Sequence, residues 1–573
     1  MKSFIKLSLV MGLTGSLLAC GSEDVNGNQG GPGTADSHAS SSSIEPALAD
    51  LADNVLGAER SIDINNNYSW AQDSLICQKA QGEAACGLIT YQIMVESFIN
   101  RDHSIGFASA YGSSHHQGDL QGIIDSLDYI KSLGVNAIWL TPIFDSQGDK
   151  KIDASGYFTK NYFAIDPHFG SMETARELVN KAHDLGLYVF FDGVFGHHKG
   201  SPASSPNGLT ASNGEPQGEV GFEAIYPDDI DFYKEVATFW IKELKIDGWR
   251  LDQAYQVPTY AWTEIREAVE QASEQVSYKN ADGKPVNPLG YMVAEIWSGK
   301  AQNITDQAYG YESDPALLSS FAFPMRYSLV QTLAVEESGW GNAGASQLVD
   351  YGFTAQNSYP SHAMPNLMLT NHDLVRFGDL LQRGELSSPE LPSYWARHKA
   401  AFSFMTAYSG PITLYYGDEI GDQVVNFASW VNCGEDGGKG SSVGHCDDHV
   451  SRNSGKIEGL SGDFVLNDDQ ADLKNYVGKL MQVRAENPAL YNGSRTHVYS
   501  DDDLYVDLKQ AGDNKVLYLL NTKNKQLNVT VSSNAAGTSG DLTDLVDGTV
   551  YSNTGGEYGF TLAPFEALLL KAE

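Results

Sequence analysis

Eight short apolar runs alternate with amphipathic stretches between residues 88 and 420, and this alternation is the main structural signal in the chain. Runs of this length, bounded by polar or glycine-rich turns, are typical of buried strands. They cover residues 89–95, 137–141, 188–192, 247–251, 291–295, 317–323, 367–370 and 412–416. Regular alternation of strand and helix predicts a parallel sheet, and eight repeats predict a closed (β/α)8 TIM barrel.

The segment 232–244 shows the helical half of the pattern. Its apolar side chains recur at helical spacing on one face, and charged side chains cover the other; the apolar set is Phe232, Val236, Phe239 and Trp240. This spacing predicts an amphipathic helix packed against the barrel.

Two regions depart from the alternation. Residues 199–231 are rich in glycine, proline, serine and asparagine where a short loop is expected, which predicts a small inserted domain after the third strand. After residue 490 short apolar runs are separated by turn-forming stretches, which predicts a C-terminal β-sandwich over 491–573. The barrel is therefore predicted in two parts, 61–198 and 232–490.

The first 20 residues predict export. Lys2 and Lys6 precede an apolar run that is too short to span a bilayer and that ends at Leu-Ala-Cys20. This pattern resembles a bacterial lipoprotein signal, in which Cys20 carries the lipid; an ordinary secretory peptide is the alternative. Both place the protein outside the cytoplasm. We expect a periplasmic or outer-membrane-anchored lipoprotein of a Gram-negative bacterium, with 21–60 as a flexible linker.

The remaining four cysteines form two pairs that are close in sequence. In an oxidising compartment, Cys77 with Cys86 and Cys433 with Cys446 predict disulfides that close surface loops. A zinc site is the alternative, but the sequence has no CxxC pair to favour it.

The charge balance limits the class of partner. With 37 Lys and Arg against 73 Asp and Glu, the formal net charge is −36. Such a surface repels nucleic acid and anionic membranes and suits a neutral ligand better. Solubility in a salty or crowded medium also explains the charge, so the charge alone identifies no partner. Membrane contact is expected only through the lipid anchor.

Acidic side chains stand at the ends of four predicted strands, where a barrel gathers its functional residues. They are Asp192, Asp252, Glu295 and Asp373. Arg250 lies two residues before Asp252, so both side chains point the same way from a strand, and the arginine is expected to keep the carboxylate ionised. A purely structural Arg/Asp pair is the alternative. Hydrolysis of a glycosidic bond needs two such carboxyl groups.

These strand ends resemble the α-amylase family of glycoside hydrolases. The matching segments are DGVFGH at 192–197, GWRLD at 248–252, AEIW at 294–297 and NHD at 371–373. Further similar segments extend the resemblance over residues 88–490. The GWRLD and GDLQG segments (the latter at 118–122) are most similar to the neopullulanase and cyclomaltodextrinase branch.

The resemblance implies a role for each residue. Asp252 is the expected nucleophile, Glu295 the general acid/base and Asp373 the third catalytic carboxylate. Asp192 is expected to orient Arg250. The expected sugar-binding side chains are Tyr157, His197, Arg250, Tyr255, Trp297 and His372.

Two departures from the family pattern concern metal and specificity. After the nucleophile, many relatives have Lys-His where this chain has Tyr255-Gln256, so the specificity on the leaving-group side is expected to differ. Gly196 stands where many relatives have a calcium-binding asparagine, so no calcium is expected there. A second calcium site of the branch could use Asn100, Asp102 and Asp119, which have oxygen ligands of the right kind; a solvated loop is the alternative. Calcium is not required for the chemistry.

Three functions follow. The first is a retaining hydrolase of α-1,4-linked glucans such as maltodextrins and starch, with cyclomaltodextrinase or neopullulanase specificity as a variant. The second is a transglycosylase or α-glucosidase that uses the same residues. The third is a non-catalytic glucan-binding barrel, which the three acids at 252, 295 and 373 disfavour. The sequence leaves the oligomeric state open.

Overall fold

The computed structural model describes residues 50–51, 56–63, 82–425, 427 and 449–573. Eight parallel strands form a closed barrel, which confirms the predicted architecture. In chain order they are β1 Ile89–Ile93, β2 Ala137–Leu140, β3 Tyr188–Gly193, β4 Gly248–Leu251, β5 Tyr291–Ala294, β6 Ser319–Phe321, β7 Met364–Met368 and β8 Ile412–Tyr415. Barrel strands read as continuous apolar runs because both faces are buried.

The predicted strand positions hold to within a few residues. The largest difference is β7, which begins at Met364 rather than at 367 because Pro365 and Asn366 interrupt its apolar run. Asn366 is buried and its side chain bonds to Tyr291 and Thr413, so a polar residue here still belongs to the barrel interior.

The helices between these strands form the outer layer of the barrel. The helix predicted at 232–244 spans Ile230–Leu244 and buries the predicted face, with Phe239 only partly buried. Described helices of at least seven residues in the barrel are Leu120–Ser132, Met172–Asp184, Ile230–Leu244, Thr259–Gln275, Phe323–Leu333, Phe377–Arg383, Pro392–Ala407 and Asp468–Glu486.

The register of β4 against its neighbours sets the geometry of the barrel mouth. Arg250 lies opposite Asp192 of β3 and Val293 of β5. Gly248 allows this pairing: its φ is 145°, and a Cβ there would lie 1.8 Å from the carbonyl oxygen of Tyr291. A side chain at this position would push β4 and β5 apart.

The inserted segment after β3 forms a small sheet. Its three strands are His197–Lys199, Pro216–Gln217 and Gly221–Glu223, with the last in the centre. The buried carboxylate of Asp229 accepts hydrogen bonds from the backbone N–H groups of Ser212 and Ile225, which ties the insertion to the start of the following helix.

The C-terminal domain contains two sheets that enclose their own apolar core. The larger sheet has six strands in the order Ser494–Ser500, Leu504–Ala511, Asn514–Asn521, Ala567–Ala572, Leu542–Asp544 and Val550–Tyr551. The smaller has Leu527–Ser532 in its centre, and its buried and exposed residues alternate, as expected when one face packs on a core. The C-terminal antiparallel domain was predicted.

One edge of the smaller sheet comes from the start of the chain. Arg60–Ile62 pairs in parallel with Leu527–Ser532, and Glu557–Leu562 pairs on the other side. The predicted linker to residue 60 and barrel from residue 61 are wrong at this point, because Ile62 packs in the C-terminal core. Arg60 further bonds to Asp501 and Asp503.

Several predicted features lie outside the described residues. These are the signal sequence with Cys20, and Cys77, Cys433 and Cys446 of the predicted disulfides. Cys86 is described and is fully buried at the end of the helix Gly82–Cys86. Across the described ranges, no helix has the length and apolar character needed to cross a membrane.

Candidate active site

A cavity of about 520 Å³ opens at the carboxyl ends of the barrel strands. The structure brings most of the predicted site residues to its wall. These are Tyr157, His197, Asp252, Tyr255, Glu295, Trp297 and Asp373. The inserted segment contributes Gly218 and Glu219 to the same wall. Arg250, Asp192 and His372 lie beneath this surface and are fully buried.

The two predicted catalytic acids are held by the backbone. The parallel ladder continues one residue beyond the strands, so that Asp252 N–H donates to Gly193 O and Glu295 N–H donates to Leu251 O, each at 3.0 Å. Both side chains are only 5% exposed. Their positions are therefore set by the barrel rather than by a mobile loop.

Arg250 lies at the centre of three carboxylates. Its Nη1 donates to Asp192 Oδ1 and to Asp252 Oδ1, both at 2.9 Å. Its Nη2 lies 2.8 Å from Glu295 Oε1, but the angle falls short of a hydrogen bond. The guanidinium also lies 5.0 Å from the centroid of the Trp139 ring. One positive charge thus serves three buried acids.

This arrangement corrects the expectation that Arg250 alone keeps Asp252 ionised. Burial raises the pKa of Asp252 to about 7, and repulsion from Asp192 and Asp373 adds to this effect while Arg250 opposes it. Burial likewise raises the pKa of Glu295 to about 7, against Arg250. The neighbouring acids thus hold a proton near neutral pH. Because Asp252 accepts the directed bond from Arg250, we place that proton on Glu295.

Asp373 has a different environment from the other two acids. Its Oδ1 bonds to Arg452 Nη2 at 2.5 Å, and its Oδ2 lies 2.9 Å from His372 Nε2. Burial alone would raise the pKa of Asp373, but His372 and Arg452 hold it well below its usual range. Asp373 therefore stays ionised down to a pH well below that at which Glu295 takes up its proton.

The tautomer of His372 follows from its partners. Burial lowers the pKa of His372 to about 4, so the ring is neutral near pH 7. The amide nitrogen of Gln92 lies 2.8 Å from Nδ1 and donates to it, so the ring proton is on Nε2, facing Asp373 and the hydroxyl of Tyr157. The hydroxyl of Tyr157 donates in turn to Asp192 Oδ2 at 2.9 Å.

His197 is positioned by a glutamine that takes the place of a side chain at residue 196. His197 Nδ1 lies 2.8 Å from Gln256 Oε1, and Nε2 lies 3.0 Å from the carbonyl of Tyr157. A Cβ at Gly196 would lie 2.3 Å from the same Gln256 oxygen. Gly196 thus leaves the room that Gln256 occupies.

Tyr255 and Trp297 are the exposed aromatic side chains of the cavity, at 49% and 47%. The hydroxyl of Tyr255 donates to Gln253 Oε1 at 2.6 Å, and Gln253 N–H donates to Glu295 Oε2 at 3.2 Å. Both rings are free to contact a ligand that extends out of the cavity past Glu295.

Arg452 and Gln256 are site residues that the sequence analysis missed. Arg452 is 79 residues from its partner Asp373 and belongs to a region without a periodic pattern. Gln256 was noted only as a departure from relatives. Its part in the site follows from the empty space at Gly196, which requires the fold to be known.

The predicted metal residues do not form a closed cluster. Both oxygens of Asp119 accept backbone N–H groups, from Arg101 and Asp102 on one side and from Gly122 on the other. Asp102 Oδ1 accepts from Ser104. Asn100 Oδ1 is buried and has no hydrogen-bond partner among the residues described, so this oxygen is available to bind a cation.

Comparison with known proteins gives one family. Residues 92–204 and 230–493 match the alpha-amylase catalytic domain. A cyclomaltodextrinase of Thermoanaerobacter pseudethanolicus is 28% identical over 475 residues, which cover 76% of this chain and 70% of that protein. A maltogenic alpha-amylase of Bacillus acidopullulyticus is 27% identical over 489 residues, 76% of this chain and 69% of that protein.

Two solved structures of AmyP are more similar. The complex with maltotriose shares 54% sequence identity and has a TM-score of 0.80, covering 87% of this chain and 99% of that chain. The complex with maltose shares 55% identity with a TM-score of 0.81, covering 86% and 98%.

Proposed function

Because the protein belongs to the alpha-amylase family of glycoside hydrolases, we propose that it cleaves α-1,4-glucosidic bonds in maltodextrins and starch-type glucans with retention of configuration. The observation that carries this proposal is the set of three acids at the mouth of the barrel, with Arg250 between Asp252 and Glu295 and Arg452 beside Asp373. Retaining hydrolysis requires one carboxylic acid and one carboxylate on either side of the bond.

In the first step, the carboxylate of Asp252 attacks the anomeric carbon as the glycosidic bond breaks. Glu295 gives its proton to the departing oxygen, and a covalent glycosyl-enzyme forms. In the second step, Glu295 takes a proton from water, which attacks the same carbon and releases Asp252. Asp373 provides fixed negative charge and accepts sugar hydroxyl groups in both transition states.

Arg250 and Asp192 are proposed to position the nucleophile. The bond from Arg250 Nη1 to Asp252 holds one carboxylate oxygen, which leaves the other to react. His197 and His372 are proposed to bind hydroxyl groups of the reacting sugar, and Tyr157 to support its apolar face. Tyr255 and Trp297 are proposed to stack against sugars on the leaving-group side.

Two findings support a malto-oligosaccharide substrate. The AmyP structures were determined with maltotriose and maltose. The wall of the cavity combines aromatic rings with carboxylates, which suits a neutral, hydroxyl-rich ligand. The names of the relatives favour a second candidate, hydrolysis of cyclic maltodextrins. Transglycosylation uses the same intermediate, with a sugar hydroxyl in place of water.

The test is activity on maltoheptaose, soluble starch, cyclodextrin and pullulan with product chromatography. We expect Asp252→Asn and Glu295→Gln each to lower kcat by about 10² to 10⁴ or more. Gln302→Ala, on the exposed helix Ala301–Ile304, serves as a control. A folded Asp252→Asn protein with near wild-type activity would contradict the proposal.

We further propose at most one bound calcium ion, near Asn100, Asp102 and Asp119. The unpartnered Asn100 Oδ1 supports it, whereas the engaged oxygens of Asp119 limit the donors available. Calcium in this place stabilises loops, and every chemical step belongs to protein side chains. No ion is proposed beside Gly196, where Gln256 fills the space.

The proposed location is the periplasm or outer membrane, with a lipid on Cys20. The sequence of residues 1–20 supports this proposal.

A further inference from the structure

A second groove lies beside the catalytic cavity, along the helix Phe323–Leu333 that follows β6. Its volume is about 650 Å³, larger than the about 520 Å³ of the catalytic cavity. The helical turn Leu348–Phe353 forms the opposite side. That turn is a π-helix, a form found often at functional sites.

Two large aromatic side chains stand exposed in this groove. Trp340 is 52% exposed and Tyr351 is 65% exposed. Exposure of this apolar area to water is unfavourable, and a ligand that covers the two rings removes this cost. Flat aromatic faces suit sugar rings, which have an apolar face of similar size.

Trp340 is held in place by its local structure. It lies on a tight turn in which Glu336 N–H donates to Trp340 O at 2.8 Å. Glu337, in the same turn, forms a two-bond ion pair with the fully buried Arg326, at 2.7 and 2.5 Å. The backbone that carries the Trp340 ring is fixed in this way, so little backbone freedom is lost when a ligand stacks on the ring.

The polar side chains of the groove are linked to each other. Gln347 Nε2 donates to Gln331 Oε1 at 2.7 Å, and Gln331 Nε2 donates to Glu336 Oε2 at 2.8 Å. Among the described residues that line the groove, the charged ones are Glu336 and Asp350. These carboxylates repel anionic ligands such as phosphates and can accept hydrogen bonds from neutral hydroxyl groups.

One contact joins the groove to the catalytic cavity. Trp297 lines the cavity, and its Nε1 donates to the hydroxyl of Tyr327 at 2.8 Å. Tyr327 lines the groove. This contact places the groove next to the catalytic cavity.

We propose that this groove is a second binding site for an α-1,4-glucan chain, with Trp340 and Tyr351 as its stacking surfaces. This inference rests on the proposed function for the class of ligand. A long glucan can occupy groove and cavity together, and its second contact is then intramolecular, whereas a trisaccharide in the cavity gains nothing from the groove. The groove thus favours long chains over short ones.

The test compares Trp340→Ala, Tyr351→Ala and the double variant on amylose and on maltotriose. We expect kcat/KM on amylose to fall about threefold to tenfold for each single change, and kcat/KM on maltotriose to stay within about twofold. Trp340→Phe, which keeps a stacking face, should recover most of the loss. Tyr260→Ala removes an exposed tyrosine that lines neither site and is the matched control.

A binding measurement separates this inference from the proposed function. Migration in native gels containing amylopectin is measured for proteins that also carry Glu295→Gln. We expect amylopectin to retard the Glu295→Gln protein. The same protein with Trp340→Ala and Tyr351→Ala should lose most of that retardation. Equal retardation of both proteins, or equal loss of activity on amylose and maltotriose, would overturn the proposal that the groove binds glucan. Retardation that depends on the groove, together with no hydrolytic activity of the protein that keeps Glu295, would overturn the proposed function alone.

Discussion

At the scale of single residues, the chemistry depends on how the few buried cationic side chains are distributed among the buried carboxylates. Arg250 contacts three carboxylates, whereas Asp373 contacts both Arg452 and His372. The acids of the first group therefore have raised pKa values, and Asp373 has a lowered one. Groups of the same chemical type are thereby prepared for different tasks.

The proton on Glu295 predicts the alkaline limb of the pH profile. Because the pKa of Glu295 is raised to about 7, kcat/KM on maltoheptaose should fall as the pH rises through about 7 and the acid loses its proton. With α-maltosyl fluoride, whose leaving group needs little protonation, the first step should lose this limb. Parallel initial-rate profiles for the two substrates provide the measurement, and an identical alkaline limb in both would rule out Glu295 as the acid.

Arg452 predicts the position of the acidic limb. Replacement of Arg452 by methionine removes the positive charge beside Asp373, so the pKa of Asp373 should rise toward its usual range. A higher pH is then needed to ionise Asp373, so the acidic limb of kcat should move to higher pH, with a larger loss of kcat at acidic pH than at pH 7. Arg101→Met, at an exposed ion pair with Asp125, is the control. An unshifted limb in the Arg452 variant would contradict this role.

The sequence predicts these residues unevenly. Asp252 and Glu295 could be predicted because they directly follow apolar strands, and barrel strands end at one rim. Arg452 and Gln256 could not, since their partners are distant in sequence or depend on a missing side chain. The resemblance already implied that Asp192 orients Arg250, but the contact of Arg250 with Glu295 could not be predicted from the sequence.

At the scale of elements, the strands of the barrel are predictable because burial on both faces leaves a continuous apolar run. The strand Arg60–Ile62 is not, because three residues with one buried side chain carry no periodic signal. Its place in the sheet is set by Leu527–Ser532, more than 400 residues later. Short edge strands of this kind depend on tertiary pairing rather than on local preference.

The ion pairs of Arg60 predict a measurable contribution to stability. The side chain is 10% exposed and contacts Asp501 and Asp503. Arg60→Ala should lower the free energy of unfolding of the C-terminal domain by about 1 kcal/mol, as measured by urea titration. Arg101→Ala, whose pair with Asp125 is more exposed, should change it much less. Equal effects of the two variants would show that Arg60 contributes no more than a surface charge.

At the scale of the whole molecule, the barrel carries the catalytic residues, and the neighbouring segments enlarge the surface that a ligand can contact. The inserted segment contributes Gly218 and Glu219 to the wall of the cavity, and Tyr327 of the groove bonds to Trp297 of that wall. The net charge of −36 keeps anionic polymers away from both. A neutral polymer is the partner that suits the entire surface.

The proposed export predicts the covalent state of the mature protein. Mass spectrometry of material isolated without reductant should find lipid on Cys20 and two disulfides, Cys77 with Cys86 and Cys433 with Cys446. A Cys20→Ala variant should be released from the membrane fraction. Free thiols at all four remaining cysteines would contradict the predicted pairs.

The pairing of Arg60–Ile62 with Leu527–Ser532 has a mechanical consequence. A pull on the chain between residues 56 and 60 loads the three register pairs and the contacts of Arg60 with Asp501 and Asp503. A pull before residue 50 also loads the bonds of Asp50 to Ser393 in the outer helix Pro392–Ala407. Tension is therefore borne by the C-terminal sheets and by one outer helix, rather than by the barrel strands that carry the catalytic acids. If the enzyme is anchored at its amino end and a bound glucan chain exerts force on it, the spacing of the catalytic acids is therefore expected to stay constant.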